Sequence, residues 1–247
     1  MSGPGVWDKE GPVCEGSIET RPAGNSLLQF AERCNVKFTT LLADPPWRFM
    51  NRSGKMAPEH KRLLRYSTMS LDEIMEMPVA QMMAKQGHLY LWVPNALILE
   101  GLEVLRRWGF TYKTNLVWYK IRKDGGPDGR GVGFYYRNVT ELVLVGVRGP
   151  LRTLAPGRRM VNLFASRKRE HSRKPDEIYD IIEKCSPGPY LELFARHPRL
   201  GWYQWGDEWQ QFGGPKLVDN PRSDGSEANR VIVPGLCTAA TYRAGEK

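Results

Sequence analysis

The sequence predicts an α/β sandwich built on a mostly parallel sheet. Three observations point there. Short apolar runs, rich in β-branched and aromatic residues, recur along the middle of the 247-residue chain. Amphipathic helical patterns stand between them. The runs are nearly continuous in apolar character instead of alternating, as in strands covered by helices on both faces.

The elements follow in order. Val36 to Ala43 (VKFTTLLA) reads as a buried strand ending at the Pro45-Pro46 pair. Ser70 opens a helix through a capping box, Ser70-Leu71-Asp72-Glu73, in which each side chain satisfies the other residue's backbone N–H. HLYLWV (88–93) is a strand, and Asn95 is placed to cap the next helix, which stops at Gly109. TNLVWYK (114–120) and TELVLVGV (140–147) are strands flanking a glycine-rich loop. From Pro175 a helix begins, with Asp176 and Glu177 in its first turn. It buries Ile178, Ile181, Ile182 and Cys185 at helical spacing. Pro187-Gly188 ends it, and YLELFAR (190–196) is a final core strand.

Composition narrows the class. Residues 1–25 and 213–247 are polar and turn-rich and predict flexible tails around a single domain over 26–212. No apolar run is long enough to span a membrane, and the start has no signal-peptide pattern, so a soluble cytoplasmic protein is expected. Cys14, Cys34, Cys185 and Cys237 are scattered, as are the four histidines, and no metal site or disulfide framework is expected. The net charge is +9. Six basic residues fall between Arg48 and Arg65 and nine between Arg148 and Lys174, each stretch with one acid. Such clusters suit a polyanion, although a solvated surface would look the same.

In open α/β sheets, ligands bind beyond the carboxyl ends of the strands. Two such ends carry unusual residues: Asp44-Pro45-Pro46-Trp47, and the stretch Glu192 to Arg196. An exocyclic amine of a nucleobase is a poor nucleophile because its lone pair is delocalised into the ring. A carboxylate and a backbone carbonyl, each accepting one N–H, would localise that lone pair. Proline fixes the backbone that offers the carbonyl, and Trp47 offers a stacking face for a flipped base. The plain alternative is a turn with Trp47 as core filler. Gly131-Val132-Gly133 lacks the third glycine of a dinucleotide fingerprint and reads as a loop, over the substrate or simply at the surface. Tyr135 and Tyr136 either stack on bases or pack that loop.

LLADPPWRF resembles the catalytic signature of amino-methyltransferases. From Lys37 to about Glu208 the chain resembles the MT-A70 family of S-adenosylmethionine-dependent N6-adenine methyltransferases. The likeness runs in order through DPPW, YSTMSLDEI, HLYLWV, ELVLVGVRG, RKPDEIYDIIE and SPGPYLELFAR. It implies a Rossmann-like α/β/α sandwich in which the catalytic motif precedes the cofactor strand.

The resemblance also assigns residues. Asp44, Pro45, Pro46 and Trp47 become the catalytic turn, with Asp44 also beside the methionine part of S-adenosyl-L-methionine. Cofactor contacts fall on Lys174, Glu192, Phe194, Arg196, His197 and Arg199, and on Asp207 and Glu208, where the family commonly has an amide-containing pair. Substrate contacts fall on Trp47, Arg48, Tyr66, Trp92 and Glu141, and on the basic run Arg167, Lys168 and Arg169.

The expected activity is methyl transfer to the N6 amino group of adenine in DNA. The same reaction on RNA is the alternative, and a catalytically silent nucleic-acid-binding subunit is another. Asp44 speaks against silence and against a cytosine amino-methyltransferase, where serine is more usual. No zinc-finger module like that of the eukaryotic RNA enzyme is present, which favours DNA. The chain is expected to act as a monomer or homodimer, with a second subunit left open and no membrane partner.

Overall fold

The computed structural model describes residues 23–48, 68–129, 135–168, 173–197 and 199–206. Most of both expected tails, the basic loop 49–67, Gly131 to Gly133 and the cofactor candidates Asp207 and Glu208 lie outside these residues. Among the described residues, seven strands form one sheet: β1 (Phe38–Ala43), β2 (Met83–Val93), β3 (Thr111–Ile121), β4 (Thr140–Arg148), β5 (Leu163–Arg167), β6 (Tyr190–Leu193) and β7 (Trp202–Trp205). Their order across the sheet is β5-β3-β4-β2-β1-β6-β7. All neighbouring pairs are parallel except β2–β4 and β3–β4, so β4 alone runs against the rest.

Side-chain alternation along the central strands divides the interior in two. Leu41, Ala43, Leu89, Leu91, Val93, Leu191 and Leu193 face one core. Above it lie α1 (Ala23–Cys34), α2 (Leu71–Met75), α3 (Val79–Met82) and α4 (Ile98–Arg107), through Leu27, Phe30, Ile74, Val79, Val104 and Leu105. Leu42, Tyr90, Trp92, Trp118 and Val143 point the other way, onto Ile178 and Ile182 of α5 (Glu177–Cys185) and onto Trp202. Ile178 and Ile182 have 0 % exposure. Burying two such side chains contributes roughly 3–6 kcal/mol, enough to hold a nine-residue helix on the sheet. The expected α/β sandwich is therefore present.

Details differ from the sequence expectations in instructive ways. The Ser70 capping box forms, with Glu73 N–H donating to Ser70 Oγ at 3.3 Å and Ser70 N–H to the Glu73 carboxylate at 2.6 Å. Asn95 does not cap α4. Residues 95–97 form a 3₁₀ turn, and the Asn95 amide donates to the Thr140 carbonyl at 3.2 Å, tying β2's exit to β4's start. Gly109 ends that region at φ +85°, the left-handed conformation expected of it. The strand expected over 190–196 stops at Leu193, because Phe194 turns away at φ +65°. Helix α1 begins at Ala23, inside the stretch read as tail. Strands β5 and β7 were not anticipated: β7 has four residues, and β5 is a mostly exposed edge strand ending in Arg167.

Candidate active site

Because β4 is antiparallel, its first residues lie at the edge where β1, β2, β3 and β6 end. Asp44 follows β1, Lys120 lies near the end of β3, Glu141 is the second residue of β4 and Glu192 stands in β6. Lys174, just before α5, bridges them. Its Nζ lies 3.2 Å from Asp44 Oδ1 and 3.1 Å from Glu141 Oε2. Lys120 Nζ donates to the other Glu141 oxygen. The result is an alternating row: Asp44, Lys174, Glu141, Lys120. Each ammonium also sits over an indole, Lys174 over Trp92 and Lys120 over Trp118, both 5.0 Å from the centroid.

The charges are unequal in character. Burial pushes the Asp44 carboxyl above the ordinary aspartate range; Lys174 opposes that rise and Glu141 adds to it. Burial also works against the charge of Glu141, yet Lys174 and Lys120 outweigh it and hold that carboxyl at about 2. Burial disfavours the Lys174 ammonium too, but Asp44 and Glu141 overcome this and raise it above the ordinary lysine range. Lys120 is pulled down by burial against the opposing pull of Glu141. Glu141 is thus the firm anion of the row, while Asp44 is the carboxylate closest to accepting a proton.

Beside the row lies a cleft lined by Asp44, Lys174, Tyr179, Glu192, Phe194 and Arg196, among others. Glu192 accepts from Tyr179 Oη at 2.9 Å and from Gln204 Nε2. Burial raises its carboxyl to about 7 against those two bonds, and neighbouring Asp44 adds to the rise. Phe194 lines the cleft in the left-handed region, which costs a bulky residue roughly 1–2 kcal/mol. Arg173 Nε is buried there without a hydrogen-bond partner among the described residues.

The sequence-derived candidates fall into groups. Asp44, Glu141, Lys174, Glu192, Phe194 and Arg196 converge, with His197 exposed on the cleft's rim. Trp47 does not present an open stacking face. It is 6 % exposed, and its indole N–H donates to the Trp92 carbonyl at 3.0 Å. Trp47 N–H folds back onto the Pro45 carbonyl at 2.8 Å and Met69 N–H reaches that of Pro46 at 3.0 Å, so the turn swings the indole into the core. Trp92 is also buried, at 2 %, yet it lines the cleft and lies under the Lys174 ammonium.

Arg199 does not face the cofactor cleft as expected. Its guanidinium pairs with Asp180 and Glu183 of α5 at 3.2 and 3.3 Å and lies over the Tyr179 ring. Arg48 is exposed and donates to Thr68. Arg167 and Lys168 are exposed at the end of β5, where Arg167 is in register with Ile121. Tyr66 and Arg169 lie outside the described residues.

Two participants escaped the sequence reading. Lys120 is the one lysine of the run TNLVWYK, and only the fold shows that it is 6 % exposed and paired with Glu141. Gln204 sits in unanticipated β7 and holds both Glu192 and the His197 carbonyl. Among the described residues no group of three or more His, Cys, Asp or Glu is placed to hold a metal, and no helix is long and apolar enough to cross a membrane.

A curled mixed sheet with an acidic turn after β1 and a polar cleft at β6 defines a Rossmann-like methyltransferase fold. The chain belongs to the MT-A70 family, whose model matches residues 38–208. Methyltransferases of this family use S-adenosyl-L-methionine. Similar proteins include a putative N(6)-adenosine-methyltransferase MT-A70-like protein of Medicago truncatula, 34 % identical over 188 residues, covering 74 % of this chain and 28 % of that protein. The human N(6)-adenosine-methyltransferase catalytic subunit METTL3 is 32 % identical over 187 residues, 74 % of this chain and 30 % of its own. The Type II methyltransferase M.MunI of a Mycoplasma species is 29 % identical over 198 residues, 72 % of this chain and 81 % of its own. The chain therefore spans less than a third of the two N(6)-adenosine-methyltransferases and most of the Type II methyltransferase.

Proposed function

We propose that this chain transfers a methyl group from S-adenosyl-L-methionine to the N6 amino group of adenine in DNA, through a single domain over residues 26–212. The observation that carries this reading is the Asp44 carboxylate, which lines the cleft and is held by Lys174 at 3.2 Å. With Oδ1 facing Lys174, Oδ2 accepts one N–H of the amine. The Pro45 carbonyl accepts the other with the lone pair left by Trp47 N–H. Two acceptors on two N–H donors draw the nitrogen lone pair out of the ring. Methyl transfer would break the methyl carbon–sulfur bond, leave the electron pair on sulfur as a thioether and leave a surplus proton on the nitrogen; Asp44 would accept that proton, because burial has raised its proton affinity.

The cleft's donor set fits the cofactor. Asp44 suits an ammonium, the Glu192–Gln204 pair suits ribose hydroxyls, and the unpartnered Arg173 Nε suits a carboxylate. Bound there, S-adenosyl-L-methionine supplies a methyl made electrophilic by its sulfonium. Lys174 and Glu141 orient Asp44, and the Trp92–Trp118 pair excludes water behind them.

DNA is favoured by the match to 81 % of the Type II methyltransferase. The higher identity to the N(6)-adenosine-methyltransferases, 34 % and 32 %, supports RNA as the second reading. Incubation with labelled S-adenosyl-L-methionine and either DNA or RNA, followed by nucleoside analysis, separates them. N6-methyladenine in DNA is the expected product. Label only in RNA moves the substrate, and no product on either substrate points to a silent subunit.

A further inference from the structure

Tyr135 and Tyr136 are 94 % and 85 % exposed, so they do not pack the loop that carries them. A pair of consecutive, almost fully exposed tyrosines leaves much aromatic surface in water. Their surroundings indicate what covers them. Arg137 donates to the Gly129 carbonyl at 3.0 Å, which docks the tyrosine segment onto the small hairpin after β3. That hairpin is itself fixed, with Asp128 N–H donating to the Lys120 carbonyl at 2.8 Å and Arg122 N–H to that of Gly126 at 2.8 Å. The Asp128 carboxylate meets Lys168 Nζ at 3.4 Å, and Lys168 follows Arg167 at the exposed end of β5. The aromatic pair, the basic pair and Lys120 of the charged row therefore hang on one local scaffold. Tyr136 lies five residues from Glu141, within about 18 Å along an extended chain.

We propose that Tyr135 and Tyr136, with Arg137, Arg167 and Lys168, form a stacking platform for the single-stranded stretch of nucleic acid beside the reacting base. Adjacent aromatic faces within a basic surface are what unpaired bases and their phosphates require, because every base has a face to stack and every nucleotide carries a charge. A duplex hides those faces, so the platform discriminates against it. The inference rests on the nucleic-acid reading above and adds strandedness to it.

The test measures binding of a labelled 12-nucleotide DNA strand containing one adenine, and of the same sequence as a duplex, by fluorescence anisotropy. Wild type is compared with Tyr135→Ala/Tyr136→Ala and Tyr135→Phe/Tyr136→Phe. Methyl transfer is followed in the same samples, and calorimetric binding of S-adenosyl-L-methionine reports folding. The alanine pair is expected to weaken single-strand binding about tenfold or more, with the phenylalanine pair near wild type and cofactor binding unchanged. Duplex binding should fall much less. Unchanged single-strand affinity in the alanine pair, with methyl transfer intact, overturns the platform and leaves the methyltransferase reading standing. Equal losses in both pairs of variants overturn stacking, and a dimer that the alanine pair turns into a monomer without loss of DNA binding assigns the tyrosines to a protein interface. A wild type that neither binds nor methylates removes the underlying reading as well.

Discussion

Lys174 Nζ stands 3.2 Å from Asp44 Oδ1 and 3.1 Å from Glu141 Oε2, so one ammonium holds two carboxylates that would otherwise repel across a part-buried site. Lys174 and Lys120 hold the Glu141 carboxyl down against its burial, while burial lifts that of Asp44 above the ordinary aspartate range against the pull of Lys174. The carboxylate proposed to accept the amine is thus held by a residue more than a hundred positions away in the chain.

Replacing that acceptor is the first expected effect. Asp44→Ala should lower turnover at least ~10²-fold, as removal of a positioned polar group does. Quantified N6-methyladenine from a folded variant is the check. Wild-type product from it would sink the assignment of the turn.

Lys174→Met should act through pH. Lys174 is the largest influence keeping Asp44 ionised, so its loss lets burial and Glu141 raise that carboxyl further. The acid limb of kcat/KM should move to higher pH, with the deficit greatest at low pH and shrinking as pH rises. A loss of the same size at every pH would confine Lys174 to holding the cofactor.

Glu192 carries a stability signature. Its carboxyl titrates at about 7 in the folded chain against 4.5 ordinarily. Between those values the folded state holds a proton that the unfolded state has released. The wild type should therefore lose stability as pH rises through this window and level off above it. Glu192→Gln removes the titration, so its stability relative to wild type should climb across the window by up to roughly 1.4 kcal/mol per pH unit. Denaturant midpoints at pH 5, 6, 7 and 8 measure it, and a constant difference would refute it.

Trp47 is expected to behave as an anchor of the turn. Trp47→Ala should cost roughly 3–5 kcal/mol, as for other large buried side chains. Trp47→Phe should cost less, losing chiefly the indole bond to the Trp92 carbonyl. Thermal unfolding separates this from a stacking role, in which Trp47→Ala would leave stability intact and weaken substrate binding alone.

The basic end of β5 should reveal itself in salt. Each phosphate contact contributes about 0.7 to the slope of log affinity against log salt on a single strand. Arg167→Glu/Lys168→Glu should flatten that slope. An unchanged slope would return both residues to the solvated surface.

Much was legible in the chain alone. DPPW, the capping box at Ser70 and the isoleucine spacing of α5 are local patterns, and local backbone physics realises them where the sequence places them. Apolar continuity predicted a sheet covered on both faces, and Leu41 against Leu42 sorts the two cores as strand alternation requires. The tertiary structure decided the rest. The reversal of β4 brings Glu141 to the edge where β1 ends, and this follows from pairing between distant segments. The sequence leaves Trp47 either a stacking face or core filler, and the choice falls to the core because Trp92 and Met69, which only the folded sheet brings near, make its environment. Lys120 and Gln204 carried no local mark, since a buried charge or amide is recognised by its partner, and Glu141 and Glu192 meet them only once the strands have paired.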